Sequence, residues 1–147
     1  MKILVPVDGS QQAAEGLKVV SALADNRPAT VFVMTIVPSV ADIDLELTAS
    51  ERDRLLESMK RRAEDLLERS TGPLRTACRG TVNAVLAIGD SPAQEIIAFA
   101  EREKIDIVVI GSRGRNGSGR FQLGSVAARV VRHSPCCVYV VKEPCWV

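Results

Sequence analysis

Aromatic side chains are scarce in this sequence: three Phe, one Tyr and one Trp among 147 residues. Proteins that grip single-stranded nucleic acid stack bases on such rings, so that class is disfavoured. Neither sign of charge is in excess. Nineteen basic and 18 acidic residues leave a formal net charge of +1, which supplies no general attraction to nucleic acid or to anionic membranes. Any phosphate binding must therefore be local. No apolar run approaches the roughly 20 residues that cross a bilayer. The start, Met1-Lys2-Ile-Leu-Val-Pro-Val-Asp8, is too short and too soon interrupted for a signal peptide. A cytoplasmic protein with neither membrane nor nucleic acid as partner is expected.

Metal and thiol chemistry lack their parts as well. Histidine occurs once, at His133, and the four cysteines (Cys78, Cys136, Cys137, Cys145) form no C-x-x-C pair, so a zinc site is disfavoured. We read the thiols as reduced and mostly buried. Cys136 and Cys137 would point to opposite faces of a strand, which disfavours an ordinary disulfide between them.

What is present is a regular alternation of strand-like and helix-like segments in a chain of one-domain length, 1–147, with 46% apolar and 25% charged residues. Lys2–Val7, Thr30–Val37, Val82–Ile88, Asp106–Ile110 and Cys137–Lys142 read as strands, and most are apolar on both faces. Between them, Ser10 starts a helix with Ala13, Leu17, Val20 and Ala24 in helical spacing, and Asn26-Arg27-Pro28 stops it. Thr48-Ala-Ser-Glu51 is a capping box opening a long helix with an apolar stripe through Leu55, Leu56, Met59, Ala63, Leu66 and Leu67. That helix is expected to end at Thr71-Gly72-Pro73. Ser91-Pro92-Ala93-Gln94 starts a third helix, and a fourth is expected from about Gln122 to His133. Strands apolar on both faces, alternating with helices, call for a parallel sheet covered on both sides. In such sheets ligands bind beyond the carboxyl ends of the strands.

The most informative stretch runs from Ile105 to Ser125. A short buried strand is followed by a loop of glycines, hydroxyls and arginines, and then by a helix start. Glycines admit close backbone approach, and a helix N-terminus favours an anion. The loop is neither a Walker A sequence, for no Gly-Lys-Ser/Thr occurs, nor the dinucleotide fingerprint, since Gln122 stands where Gly117-Ser-Gly119 would need a third glycine. The spacing that stands out is Gly111-x2-Gly114-x9-Gly124-Ser125. Asp8, at the end of the first strand, faces the same crevice if the first and fourth strands are neighbours. It is suited to accept hydrogen bonds from hydroxyls or an amino group rather than to meet phosphate. The bland reading of the same residues is a flexible surface loop with a capping serine at 125, and a turn-forming Asp8-Gly9.

That spacing matches the G-x2-G-x9-G-[S/T] signature of ATP-binding universal stress proteins, and the chain resembles that family along essentially its whole length. Ile3-Leu-Val-Pro-Val-Asp8-Gly-Ser10, Val33-Met-Thr-Ile-Val37, Gly89-Asp-Ser-Pro92 and Ser134-Pro-Cys-Cys-Val-Tyr-Val-Val141 resemble its other characteristic segments. The resemblance implies an open five-stranded parallel sheet in the order 3-2-1-4-5 with helices on both faces, of the Rossmann-like, adenine nucleotide alpha hydrolase-like kind. It also implies a homodimer joined through the fifth strands and ATP bound across the first and fourth strands. Carried over residue by residue, Pro6, Val7 and Ile36 would line adenine, with Asp8 at the ribose and adenine side. Ile110, Gly111, Arg113, Gly114, Gly124, Ser125 and Val126 would hold ribose and phosphates, and Mg²⁺ would be held through the phosphates.

No catalytic residue is assigned. A His133 set with Ser10 or Ser125 is disfavoured because no nucleophile-elbow sequence is present. A nucleotide-binding stress or signalling module is the leading function. The alternatives are a slow ATPase or a phosphoryl or adenylyl transferase, which would need a metal site and a residue to position the nucleophile, and a module for AMP or cyclic AMP in the same pocket. Arg113, Arg115 and Arg120 are open between phosphate contact and solvated surface.

Overall fold

The computed structural model describes residues 1–39, 46–113 and 123–142. Five strands, β1 (Lys2–Pro6), β2 (Ala29–Val37), β3 (Gly80–Ile88), β4 (Ile107–Gly111) and β5 (Cys137–Val141), alternate with α1 (Gln11–Ala24), α2 (Ala49–Ala77), α3 (Pro92–Arg102) and α4 (Ser125–His133). The sheet order is β3-β2-β1-β4-β5, and every neighbouring pair is parallel. The expected strand order and the helices on both faces are thus present.

The strand sequences show why. In β1, successive side chains point to opposite faces, and Ile3, Leu4 and Val5 are all fully buried. Ile3 and Val5 join Val31, Val33 and Val109 under α1 (Val19, Val20, Ala24) and α2 (Leu67, Leu74). Leu4 joins Met34, Val108 and Ile110 under α3 (Ile96, Phe99, Ala100) and Val130 of α4. A central strand with a polar face could not sit between two such cores. The chain leaves β1 toward β2 and leaves β4 toward β5, so the order reverses between β1 and β4 and opens a crevice beyond their carboxyl ends.

The long helix departs from expectation. It does not stop at Thr71-Gly72-Pro73 but continues to Ala77 with Pro73 inside. Proline removes one intrahelical bond and costs about 3 kcal/mol in a helix interior. Gly72 and Pro73 lie on the exposed side, and the residue four back, Arg69, is exposed too, so its carbonyl can meet water. On the inner side, the Thr71 hydroxyl donates to the Leu67 carbonyl at 2.8 Å. Leu74, 2% exposed, packs in the core, which contributes on the order of 2 kcal/mol. Arg75 then reaches from α2 to the Val82 carbonyl at 3.5 Å. Tertiary burial overrides the local stop signal. β3 also begins two residues earlier than expected, pairing with β2 from Ala29↔Gly80 to Val37↔Ile88.

Cys78, at the end of α2, is half-buried. Burial, reinforced by the charge of Asp25, pushes its thiol above the usual cysteine range, so its reactive thiolate is suppressed. Cys136 and Cys137 are also free thiols, whereas Cys145 lies outside the described residues. No helix among the described residues is long and apolar enough to cross a membrane.

Two glycines with opposite requirements test this packing. A Cβ on Gly16 would stand 3.7–3.9 Å from Val109, Val5 and Val141, an ordinary contact, while alanine favours the helix. Gly16→Ala should therefore stabilise the fold by about 0.5–1 kcal/mol, raising the thermal midpoint by roughly 2–4 °C. Gly80 has φ +120°, and a Cβ there would collide with the Ala29 carbonyl. Gly80→Ala should lower stability by about 2–3 kcal/mol. Equal effects of the two substitutions in thermal melts would contradict this account.

Candidate functional site

Two chain turns wall the crevice between β1 and β4. On the β1 side, the Val7 N–H donates to the Met34 carbonyl at 2.8 Å, holding the strand end against β2. Asp8 follows, half-buried, and its Oδ1 accepts from the Ser10 N–H at 2.9 Å. Gly9 takes φ +83°, which L-residues with a Cβ adopt only with strain. Ser10 then caps α1 by accepting from the Ala13 N–H at 3.2 Å. The turn expected of Asp8-Gly9 is present: one carboxylate oxygen accepts within it, just past the carboxyl end of β1.

On the β4 side, the register Ile3↔Ile107 and Leu4↔Val108, carried forward, brings Val7, just past β1, level with Gly111. Beyond Gly111, the Ser112 N–H donates to the Val141 carbonyl at 2.8 Å, and the Ser112 carbonyl accepts from the Gly124 N–H at 2.7 Å. The loop thus leaves and returns at one point. Gly114, Arg115 and Arg120, for which sequence gave a phosphate role or left one open, lie outside the described residues, as do Gly117 and Gly119.

The returning chain enters α4 with Gly124 as its N-cap, extended at φ −61° and ψ 162°, and among the described residues no side chain caps the helix. Each of the other three helices has a capping side chain: Ser10 for α1, Thr48 in a full capping box for α2, and Ser91 for α3. Ser125 is therefore not the capping serine of the bland reading; it is the first helical residue, exposed beside N–H groups of the first turn. A helix start leaves those donors unsatisfied within the helix, and together with the dipole they attract an anion. Val126 is half-buried and packs on the α3 side of the sheet.

The structure distributes the remaining sequence-derived candidates unevenly. Pro6, Ile36, Gly111 and Arg113 are half-buried around the strand ends. Val7 and Ile110 are 4% and 6% exposed and belong to opposite core clusters. His133 is exposed in the last turn of α4, where a positive charge meets the helix dipole favourably. Among the described residues no group of three or more His, Cys, Asp or Glu is arranged to hold a metal.

Sequence reasoning missed two residues. Gln12 is 5% exposed, and its Oε1 accepts from the Arg113 N–H at 2.7 Å and from the Ser112 hydroxyl at 3.3 Å. Ser112, itself buried, is the junction between β4, β5 and α4. The only sequence signal for Gln12 was its spacing from Gly16 and Val19, four and seven residues on, which places it on the buried stripe of α1.

Sheet order, crevice and uncapped helix define an open, doubly wound α/β protein with an anion-seeking end. Its lineage follows from the sequence as a whole. Residues 1–142 match the universal stress protein family, and the chain belongs to that family. It is 32% identical over 153 residues to the universal stress protein MJ0531 of Methanocaldococcus jannaschii, covering 97% of this chain and 82% of that one. Among solved structures, hypothetical protein MJ0577 superposes with a TM-score of 0.85 at 29% identity, covering 97% of this chain and 95% of that one. Universal stress protein UspA from Lactobacillus plantarum superposes with a TM-score of 0.83 at 26% identity, over 97% of both chains. More distant members share the fold and include a universal stress protein in complex with cAMP (20% identity, TM-score 0.70, 96% of this chain and 95% of that one). Another, from Archaeoglobus fulgidus, is in complex with dAMP (22%, TM-score 0.67, 97% and 98%).

The Asp8 turn makes a prediction independent of any ligand. Asp8→Asn keeps an oxygen to accept from Ser10 and should change unfolding free energy by less than about 0.5 kcal/mol, whereas Asp8→Ala should cost about 1 kcal/mol. Denaturant titration of both variants checks the ordering; an Asn variant as unstable as the Ala variant would show that the turn depends on the charge.

Proposed function

We propose that this chain is an ATP-binding universal stress protein, a single domain over 1–147 that acts as a nucleotide-dependent stress-response or signalling module in the cytoplasm. The observation that carries the reading is the uncapped N-terminus of α4 beside the loop closure at Ser112, with Asp8 on the opposite wall. Phosphates suit the first, and hydroxyls or an amino group suit the second. In this reading Pro6, Ile36 and the Val7 backbone line adenine, and Asp8 accepts from ribose or from the adenine amino group. The Ile110 backbone, Gly111, Arg113, Gly114, Gly124, Ser125 and Val126 surround ribose and phosphates. Mg²⁺ would bind through the phosphates.

A second reading has the same pocket hold a monophosphate, AMP or cyclic AMP. Its support is that the distant relatives named above carry cAMP and dAMP. Nucleotide occupancy, rather than turnover, is the functional variable in both readings. Partners follow the same logic: an adenine nucleotide and a second copy of the chain, with neither nucleic acid nor membrane. β5 ends the sheet, with Val138, Tyr139 and Val140 half-buried along it, and homodimer formation through this edge would extend the sheet.

Calorimetric titration of nucleotide-free protein with ATP, ADP, AMP and cyclic AMP tests the proposal. ATP should bind with a micromolar dissociation constant, and Gly124→Val should weaken it at least about tenfold by placing a branched side chain beside the phosphates, a loss near 1.4 kcal/mol. AMP or cyclic AMP binding more tightly than ATP would favour the second reading; no binding below millimolar concentration would end both. For the assembly, light scattering at micromolar concentration should give twice the chain mass of 15.9 kDa, and a persistent monomer would rule out the edge-strand dimer.

A further inference from the structure

We infer that Gln12 is the positioning residue of the glycine loop: it fixes the start of the loop to α1 and thereby sets the affinity for phosphate. A primary amide is costly to bury without partners, yet Gln12 is 5% exposed. Among the described residues, two hydrogen bonds converge on its Oε1, from the Arg113 N–H at 2.7 Å and the Ser112 hydroxyl at 3.3 Å. A backbone N–H can only donate, so the Arg113 bond settles which end of the amide faces the loop.

Gly111 belongs to the same arrangement. A Cβ there would stand 3.1 Å from Gln12 Cβ and 3.2 Å from its Oε1. The first glycine of the loop signature thus makes room for Gln12, a protein side chain, in the direction a side chain of its own would take. Gln12 is in turn held in place by α1. Ser10 caps that helix, and at Gly16 it faces Val109, Val5 and Val141 of the sheet. The turn that presents Asp8 leads straight into α1, so one amide connects the two walls of the crevice.

A consequence follows for Arg113. Its N–H is engaged by Gln12, so the residue addresses phosphate through its guanidinium and not through its backbone. The affinity arm of the inference rests on the nucleotide reading above; the loop-fixing arm does not.

Gln12→Met keeps a side chain of similar size and shape but offers no strong acceptor, and Gln12→Glu keeps an oxygen at the same reach. Amide hydrogen exchange followed by NMR, together with ATP titration, reads both arms. In Gln12→Met the Arg113 amide should exchange at least about tenfold faster and ATP should bind about tenfold more weakly, the loss of one hydrogen bond, with the thermal midpoint moved by only a few degrees. In Gln12→Glu the Arg113 protection should return, which a purely space-filling role for residue 12 does not predict. Unchanged Arg113 exchange in Gln12→Met, no rescue by Gln12→Glu, or undiminished ATP affinity in Gln12→Met each overturns the inference. A wild-type protein that binds no adenine nucleotide overturns the nucleotide reading, and with it the affinity role. The exchange data then show separately whether Gln12 holds the loop.

Discussion

Among the described residues, four hydrogen bonds meet at Ser112 and Arg113, and the crevice depends on them. The Ser112 N–H reaches β5 at Val141 and its carbonyl receives α4 at Gly124. Its hydroxyl and the next N–H both reach Gln12 of α1. Four elements are therefore fixed to one another at the point where the strand order reverses. Each such bond is worth only about 1 kcal/mol net. Their value lies in direction: they set where the first turn of α4 stands relative to the end of β1. A helix start can bind an anion wherever it lies, but only a fixed one can discriminate among anions by the shape of what is attached to them.

The two-sided core supplies the rigidity behind that junction. β1 is buried on both faces, so α1 and α4 pack against opposite sides of the same central strands and cannot shift independently without opening one of the two clusters. A close-packed interior transmits such constraints. The candidate site is thus built on the ends of rigid elements.

The fold was largely readable because parallel strands write themselves as apolar runs and helices as three- and four-residue spacing. The failures have physical causes. Thr71-Gly72-Pro73 is a sound local stop signal, and it is overridden by a distant event, the burial of Leu74 against the sheet. In the candidate site, the spacing of Gly111, Gly114, Gly124 and Ser125 singled out the loop before α4 but could not tell a capping serine from a first helical residue. That distinction depends on backbone angles at Gly124. Gln12 was silent because a glutamine beside a helix start ordinarily faces solvent, and its partners lie a hundred residues away. Val7 and Ile110, expected beside the ligand, place their side chains in the two core clusters.

The most direct test of the account is a residue-resolved map of where ATP touches the chain, from amide shifts during an NMR titration. The account predicts that shifts concentrate at Asp8, Ile36, Gly111, Gly124, Ser125 and Val126, while the amides of β3 before its end and of the middle of α2 stay still. ATP that binds but moves amides elsewhere, leaving Gly124 to Val126 unchanged, would contradict it.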